Sequence, residues 1–301
     1  MQDLIIIGAG PAGITAAVYA ARKKMDFLVL TGDIGGQTIW SSNVENYTGY
    51  QLITGVELAQ KFEEHMRQYK ISVHETETVI SQEKTQGFIT LTTAKAIYQS
   101  RTVIIASGKR SRELGVAGEK EFRNKGLTYC ATCDGPLFSG KEVAVVGNGN
   151  SALDAALQME RISPRVYIIN NASSLAGDAV MREKVIASKN VTVINDATVT
   201  AIMGDKLVTK IRIKRNKGFE EIPVQGVFVE IGLIPNSNFA PFVKKNDLGE
   251  IEVDCRNSTS VEGIFAAGDV TSVPEKQIII AAGEGAKAAL SSFRYLAGHK
   301  F

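Results

Sequence analysis

Cysteine is scarce in this chain, three in 301 residues. A fold stapled by disulfides needs a dense set of them, so this one cannot rest on such a framework. Histidine is equally scarce, with three. Structural zinc takes four ligands. Beyond a single Cys-x-x-Cys pair the chain offers only Cys255, His65, His74 and His299, none in a second paired spacing. Cysteine arithmetic therefore favours redox chemistry over zinc for that pair. Net charge is nearly absent, at +2, which argues against nucleic acid or a membrane surface as the main partner. No apolar run reaches the length of a membrane span. The apolar start Leu4–Ile7 leads into a glycine turn and not into a cleavage site, so a cytoplasmic, reducing location is expected.

What is present suffices for about two domains, because 44% of the residues are hydrophobic and only 22% charged. The chain is organised around Tyr129-Cys130-Ala131-Thr132-Cys133-Asp134-Gly135-Pro136. Two thiols at this spacing can close a small ring as a disulfide and reopen on reduction. The thiolate is the reactive form, so the pair needs a proton donor and acceptor beside it, and Asp134 is placed to be one. Cys255 is left over and is expected to be a plain packed residue.

Leu4–Ile7 reads as a buried strand, Gly8-Ala9-Gly10-Pro11-Ala12-Gly13 follows, and residues 14–24 read as a helix. Strand, G-x-G-x-x-G and helix in this order let the backbone approach a pyrophosphate at the positive helix end. Asp33 lies twenty residues after Gly13. That position suits a ribose-binding acid, and a loop turn residue fits it equally. Residues 56–70 carry a helical apolar stripe, and 71–99 read as short strands with a hairpin. A second strand, turn and helix recur about 140 residues after the first, as residues 142–146, Gly147-Asn148-Gly149-Asn150-Ser151-Ala152 and residues 153–161. The expected fold is α/β, with two nucleotide-binding domains of Rossmann type (three-layer ββα), the second inserted into the first. The expected bounds are 1–112, 113–243 and 244–301.

These motifs identify a family resemblance. With Gly35-Gly36-Gln37, Gly232-Leu233-Ile234-Pro235-Asn236, Ala267-Gly268-Asp269 and Lys276-Gln277-Ile278-Ile279, the chain resembles the low-molecular-weight thioredoxin reductases over its whole length. It is similar above all to the flavoprotein subunit of alkyl hydroperoxide reductase, and that subunit's N-terminal thioredoxin-like module is expected to be absent. The resemblance implies a FAD-dependent disulfide oxidoreductase and a homodimer. It implies FAD contacts from Gly8, Gly10, Pro11, Ala12, Gly13, Gly36, Gln37, Asn46, Val79, Ala106, Ser107, Gly108, Asp269, Gln277 and Ile278. Cys133 would lie nearer the flavin, Cys130 would be the exchange thiol, and Asp134 the acid and base. A swivel at crossings near residues 109–118 and 241–249 would let the cysteine pair and the second turn use the flavin alternately. The partner would be a separate thioredoxin-like or peroxiredoxin-type disulfide.

The donor is where the chain departs from the family pattern. NADPH-dependent relatives carry an arginine cluster after the strand that here ends at Ile169; here the stretch reads Asn170-Asn171-Ala172-Ser173-Ser174-Leu175-Ala176. NADH-dependent relatives place a Glu where Asn170 stands. Gly147, Gly149, Asn150, Ser151 and Ala152 still form a turn able to cradle a pyrophosphate. NADH is therefore favoured slightly over a nicotinamide-independent donor such as ferredoxin, and NADPH is disfavoured. A redox-sensing flavoprotein with little turnover is the reading from another class, and the intact Cys130, Cys133 and Asp134 count against it. The terminal Gly298-His299-Lys300-Phe301 reads as a frayed tail, with an aromatic cover for the flavin as the alternative.

Overall fold

A computed structural model describes residues 1–40, 44, 46–85, 87–216 and 218–298, without the side chains of Trp40, Thr132 and Cys133. The terminal tail from His299 to Phe301 therefore lies outside the described residues. The chain begins β1 (Gln2–Ala9), α1 (Pro11–Arg22), β2 (Phe27–Ile34), α2 (Gly55–Arg67), β3 (Ser72–His74), β4 (Val79–Lys84), β5 (Ile89–Thr93) and β6 (Ile97–Ile105). It continues β7 (Lys109–Ser111), α3 (Glu119–Phe122), β8 (Leu127–Thr128), α4 (Ala131–Asp134), β9 (Val143–Val146), α5 (Asn150–Glu160), β10 (Val166–Ile169), α6 (Ala179–Ala187) and β11 (Val191–Ile194). It ends β12 (Thr198–Gly204), β13 (Val208–Arg215), β14 (Gly218–Pro223), β15 (Gly226–Val229), β16 (Leu233–Pro235), β17 (Ile264–Ala266) and α7 (Ile278–Gly298).

Two compact units result: Met1–Arg110 with Ile234–Phe301, and Ser111–Leu233. In the first, β3, β2, β1 and β6 form a parallel sheet, and β17 extends it along the far half of β6. The near half of β6 pairs antiparallel with β5, and β5 with β4. β1 is buried on both faces, so its apolar run serves two cores. Leu4 and Ile6 pack with Ala16, Ala17 and Ala288 on the helical side. Ile5 and Ile7 pack with Leu91 and Val103 on the other. Ala240 and Val243 belong to that second core. The chain has thus already returned to the first unit before residue 243, where the second boundary was expected.

The second unit repeats the plan. Strands β11, β10, β9, β15 and β8 form a parallel sheet, with the antiparallel β12, β13 and β14 as a separate layer. Val143, Val145 and Phe228 face α5 residues Ala152 and Leu153. Ala144, Val146 and Val229 face Ile211 and Ile213 of β13.

Candidate functional site

In the first unit, Gly8 has φ +102°, and a Cβ there would lie 2.3 Å from the Ala106 carbonyl oxygen. A Cβ on Gly13 would lie 1.9 Å from the Gly8 carbonyl oxygen. Both glycines are demanded by the chain's own packing. Gly10 is not: the nearest atom to a Cβ there is Gly36 Cα, at 3.9 Å. Gly10 is also the N-cap of α1, which opens on Pro11 and receives no side-chain cap. By contrast α2 is closed by a capping box between Thr54 and Glu57. An uncapped helix start beside a space that only glycine leaves open is a seat for an anion such as a pyrophosphate.

Around this turn the structure gathers several of the expected residues. Gly36 opens a short 3-10 turn, and Gln37 Nε2 donates to the Lys109 carbonyl at 3.3 Å. Ser107 Oγ donates to the Asn236 carbonyl at 2.6 Å, Asn236 Nδ2 returns a bond to the Ser107 carbonyl, and Asn236 N–H reaches the Gly108 carbonyl. Asn46 Nδ2 donates to Gln277 Oε1 at 3.0 Å, and Ile278 begins α7. Val79 is buried in the core, and Asp33 is exposed near the end of β2. Ala12 is pressed by α7, where a Cβ on Gly285 would meet the Ala12 carbonyl at 2.0 Å. Asp269 is half-buried, and no described residue donates a hydrogen bond to its carboxylate. Burial pushes its carboxyl up, against the pull of Lys276 and Lys109. A half-buried acid with no partner fits a ligand hydroxyl.

Two buried groups hold Asp269's surroundings, and neither belongs to a motif that the sequence marks out. Glu284 of α7 accepts from Gly268 N–H at 2.7 Å. Glu250 bonds Lys109 at 2.8 Å and Asn246 at 2.7 Å, and pairs with Lys276 at 3.2 Å. Burial opposes the charge of Glu250, but those hydrogen bonds outweigh it and hold its carboxyl at about 2. An acid inside a run of small residues, Ala281-Ala282-Gly283-Glu284-Gly285, was the only signal for Glu284.

In the second unit, Cys130 is disulfide-bonded and half-buried. The side chain of Cys133 lies outside the described residues, while its backbone belongs to α4. Cys255 is free and exposed, contrary to the packed role expected of it, because it sits in a turn beyond the core strands. Thr128, at the end of β8, joins the motif at two points. Its hydroxyl donates a short hydrogen bond to Asp134 Oδ2 and accepts from Cys130 N–H at 3.1 Å. Tyr129 donates to Glu119 at 2.7 Å, and burial together with that bond pushes its hydroxyl up. No group of His, Cys, Asp or Glu able to hold a metal occurs among the described residues.

The second turn copies the first. Gly147 has φ +149°, and a Cβ there would lie 2.2 Å from the Glu230 carbonyl oxygen, while around Gly149 nothing lies within 4 Å. Gly149 caps α5 without a side-chain bond, as Gly10 caps α1. Ala152 stands where the first turn has Gly13 and is buried. Residues 172–178 are tied to this turn: Asp178 N–H donates to Asn150 Oδ1 at 2.7 Å, and Ala176 N–H to the Asn148 carbonyl at 2.9 Å. Ser151 is exposed on the first turn of α5. Asn170 is 0% exposed. Its Nδ2 donates to Asn195 at 2.8 Å and its Oδ1 accepts from Ala172 N–H at 2.9 Å, so the amide is committed inside the unit.

The profile of the pyridine nucleotide-disulphide oxidoreductases matches residues 2–285. A Bacillus subtilis protein named NADH dehydrogenase is 42% identical over 98% of this chain and 58% of its own length. An alkyl hydroperoxide reductase subunit of Pseudomonas putida is also 42% identical, again over 98% of this chain and 58% of its own. The chain thus spans a little over half the length of these curated relatives. The thioredoxin reductase of Lactococcus lactis superposes with a TM-score of 0.88 at 32% identity, covering 99% of this chain and 100% of its own. That of T. acidophilum superposes at 0.83 with 41% identity, covering 97% and 98%. Two parallel-sheet units, each with a glycine turn and an uncapped helix, and one carrying the cysteine motif, thus have the two-domain fold of the thioredoxin reductases, and the chain belongs to the pyridine nucleotide-disulphide oxidoreductase family.

Proposed function

We propose that this chain is a FAD-dependent disulfide reductase that delivers electrons to a thioredoxin-like or peroxiredoxin-type protein disulfide. The observation that carries the reading is the disulfide-bonded Cys130 joined to Asp134 through the Thr128 hydroxyl. In the first unit, the Gly8–Gly13 turn would take the pyrophosphate of FAD and Asp269 a ribitol hydroxyl. When bound, FAD supplies two-electron transfer between a reductant and a disulfide. The spacing of the motif makes Cys133 the proposed partner of Cys130. In the reduced protein the Cys130 thiolate attacks the partner's disulfide, that bond breaks, and a mixed disulfide forms. The Cys133 thiolate then attacks the Cys130 sulfur, and the partner leaves as a dithiol. Asp134 gives the proton to the leaving sulfur, and the Thr128 hydroxyl fixes that carboxyl beside the helix.

The donor is NADH over NADPH, because residues 170–178 hold no basic side chain to clamp a 2′-phosphate. A nicotinamide-independent donor such as ferredoxin is the second reading. It is favoured by one observation, the burial of Asn170, which leaves its amide no free face for a ribose hydroxyl. Anaerobic mixing with NADH, NADPH or reduced ferredoxin, followed by flavin absorbance, decides between them. Rapid bleaching by NADH alone is expected. Bleaching by ferredoxin alone overturns the NADH reading, and a protein that takes up no FAD overturns the whole. We place the working enzyme in the cytoplasm as a homodimer. Among the described residues no helix is long and apolar enough to cross a membrane.

A further inference from the structure

Glu119 opens α3 and is 3% exposed. Its carboxylate accepts three hydrogen bonds, all from within the second unit. Leu114 N–H donates to Oε1 and Gly115 N–H to Oε2, each at 2.6 Å, and the Tyr129 hydroxyl donates to Oε1 at 2.7 Å. The start of α3 is itself seated on β12. A Cβ on Gly118, where φ is +83°, would lie 2.0 Å from the Ile202 carbonyl oxygen, and Ile202 N–H reaches the Ala117 carbonyl at 2.9 Å. Phe122 and Ile202 share one core with Leu127, and Tyr129 packs against that same core. A fixed, buried acid thus grips the residue that directly precedes Cys130.

We propose that Glu119 is a positioning residue: through the Tyr129 hydroxyl it anchors the chain entering Cys130, and so favours the closed disulfide over the open dithiol. The inference rests on the reading of Cys130 as a redox-active sulfur. In the oxidised protein the sulfur–sulfur bond itself restrains Cys130. Once that bond opens, the freedom of the chain around Cys130 sets how often the two sulfurs meet. An anchor that persists limits this freedom, so less conformational entropy is lost on closing. Leu127 and Tyr129 face the core, and Thr128 between them faces the motif. The entering chain is therefore held on both sides. Thr128 engages Asp134 and Cys130 N–H on one, and Tyr129 engages Glu119 on the other. Burial, together with the bond to Glu119, pushes the Tyr129 hydroxyl up, which keeps it a donor at neutral pH.

The test uses the flavin-loaded protein, equilibrated without oxygen at neutral pH in mixtures of a small dithiol and its cyclic disulfide. Two electrons and two protons pass from the dithiol to the protein, whose sulfur–sulfur bond opens to two thiols while the probe closes its own ring. Acid quenching, alkylation and peptide mass spectrometry then read the open fraction at Cys130, whatever the state of the flavin.

Y129F removes one hydrogen bond and leaves the two backbone bonds to Glu119 in place. Its equilibrium is expected to shift towards the dithiol by about threefold to tenfold, a rise in reduction potential of about 15 to 30 mV. Stability lost equally from both redox states cancels from this equilibrium, so a merely structural role for the phenol gives no shift. R123A removes the guanidinium that lies 5.0 Å over the Tyr129 ring and spares the hydroxyl bond, and it is expected to leave the equilibrium at the wild-type value. A Y129F equilibrium that superimposes on the wild type overturns the inference, as does an R123A shift equal to that of Y129F. A wild-type disulfide that no dithiol opens, or that stays closed when the flavin is reduced, overturns the parent reading instead, and that result is visible without either variant.

Discussion

At Thr128 the carboxylate and the backbone of the cysteine motif meet on one hydroxyl. A hydroxyl that donates to Asp134 and accepts from Cys130 N–H fixes both groups relative to one another. T128V keeps the shape and removes both bonds. It is expected to slow reduction of a small aromatic disulfide by about tenfold to a hundredfold, while T128S stays near the wild type; stopped-flow absorbance of the released thiolate reads both. Equal rates in all three proteins would remove Thr128 from the mechanism. Asp134 was legible in the sequence because it adjoins Cys133. Thr128 was not, because a threonine ending a short strand is ordinary until the chain folds back over it. Asn170 shows the opposite limit. Its residue type permits a hydroxyl contact, but only the fold shows that Asn195 and Ala172 already use its amide.

Among elements, the two glycine turns separate packing from binding. Cβ atoms at Gly13 and Gly147 would run into backbone at 1.9 and 2.2 Å, so G13A and G147A are expected to be destabilised by several kcal/mol. G10A and G149A meet nothing closer than 3.9 Å. They are expected to leave the melting temperature nearly unchanged while weakening the dinucleotide at their own turn by about tenfold or more. Thermal melts read the first pair. Flavin titration of the flavin-free protein reads G10A, and donor titration reads G149A. These turns were legible because a buried strand, a fixed glycine spacing and a helical stripe leave separate marks on the sequence. Helix α6 left none: Val180 and Ile186 are exposed and only Val185 is fully buried, so no apolar stripe exists to read. Strand β14 buries only Ile222 and is held by pairing with β13, a long-range cause that local pattern does not carry. The second crossing escaped for a similar reason. Residues 234–243 look like a loop, yet Ala240 and Val243 are claimed by a core whose other members lie far away in sequence.

For the whole molecule, two carboxylates, one in each unit, set opposite limbs of stability against pH. Glu250 in the first unit is held at about 2, below the ordinary 4.5, by Lys109, Asn246 and Lys276 acting against burial. A lowered value means its contribution is complete above about pH 4.5 and is lost as the pH falls towards 2. Glu230 in the second unit is pushed up from 4.5 to about 7 by burial. A raised carboxyl costs nothing below about pH 4.5, and its cost grows until the group is fully charged above about 7. These two groups alone therefore place the stability maximum near the ordinary carboxylate value, with an acid limb from one unit and a neutral limb from the other. E250Q leaves two half-buried lysines, Lys109 and Lys276, without their carboxylate. It is expected to lose about 3 kcal/mol at neutral pH and to flatten the acid limb. E230Q is expected to raise the melting temperature above pH 7 and to match the wild type at pH 4, flattening the neutral limb instead. Calorimetric melts of both variants across this range check the assignment, and a neutral limb that survives in E230Q would show that another group charges there.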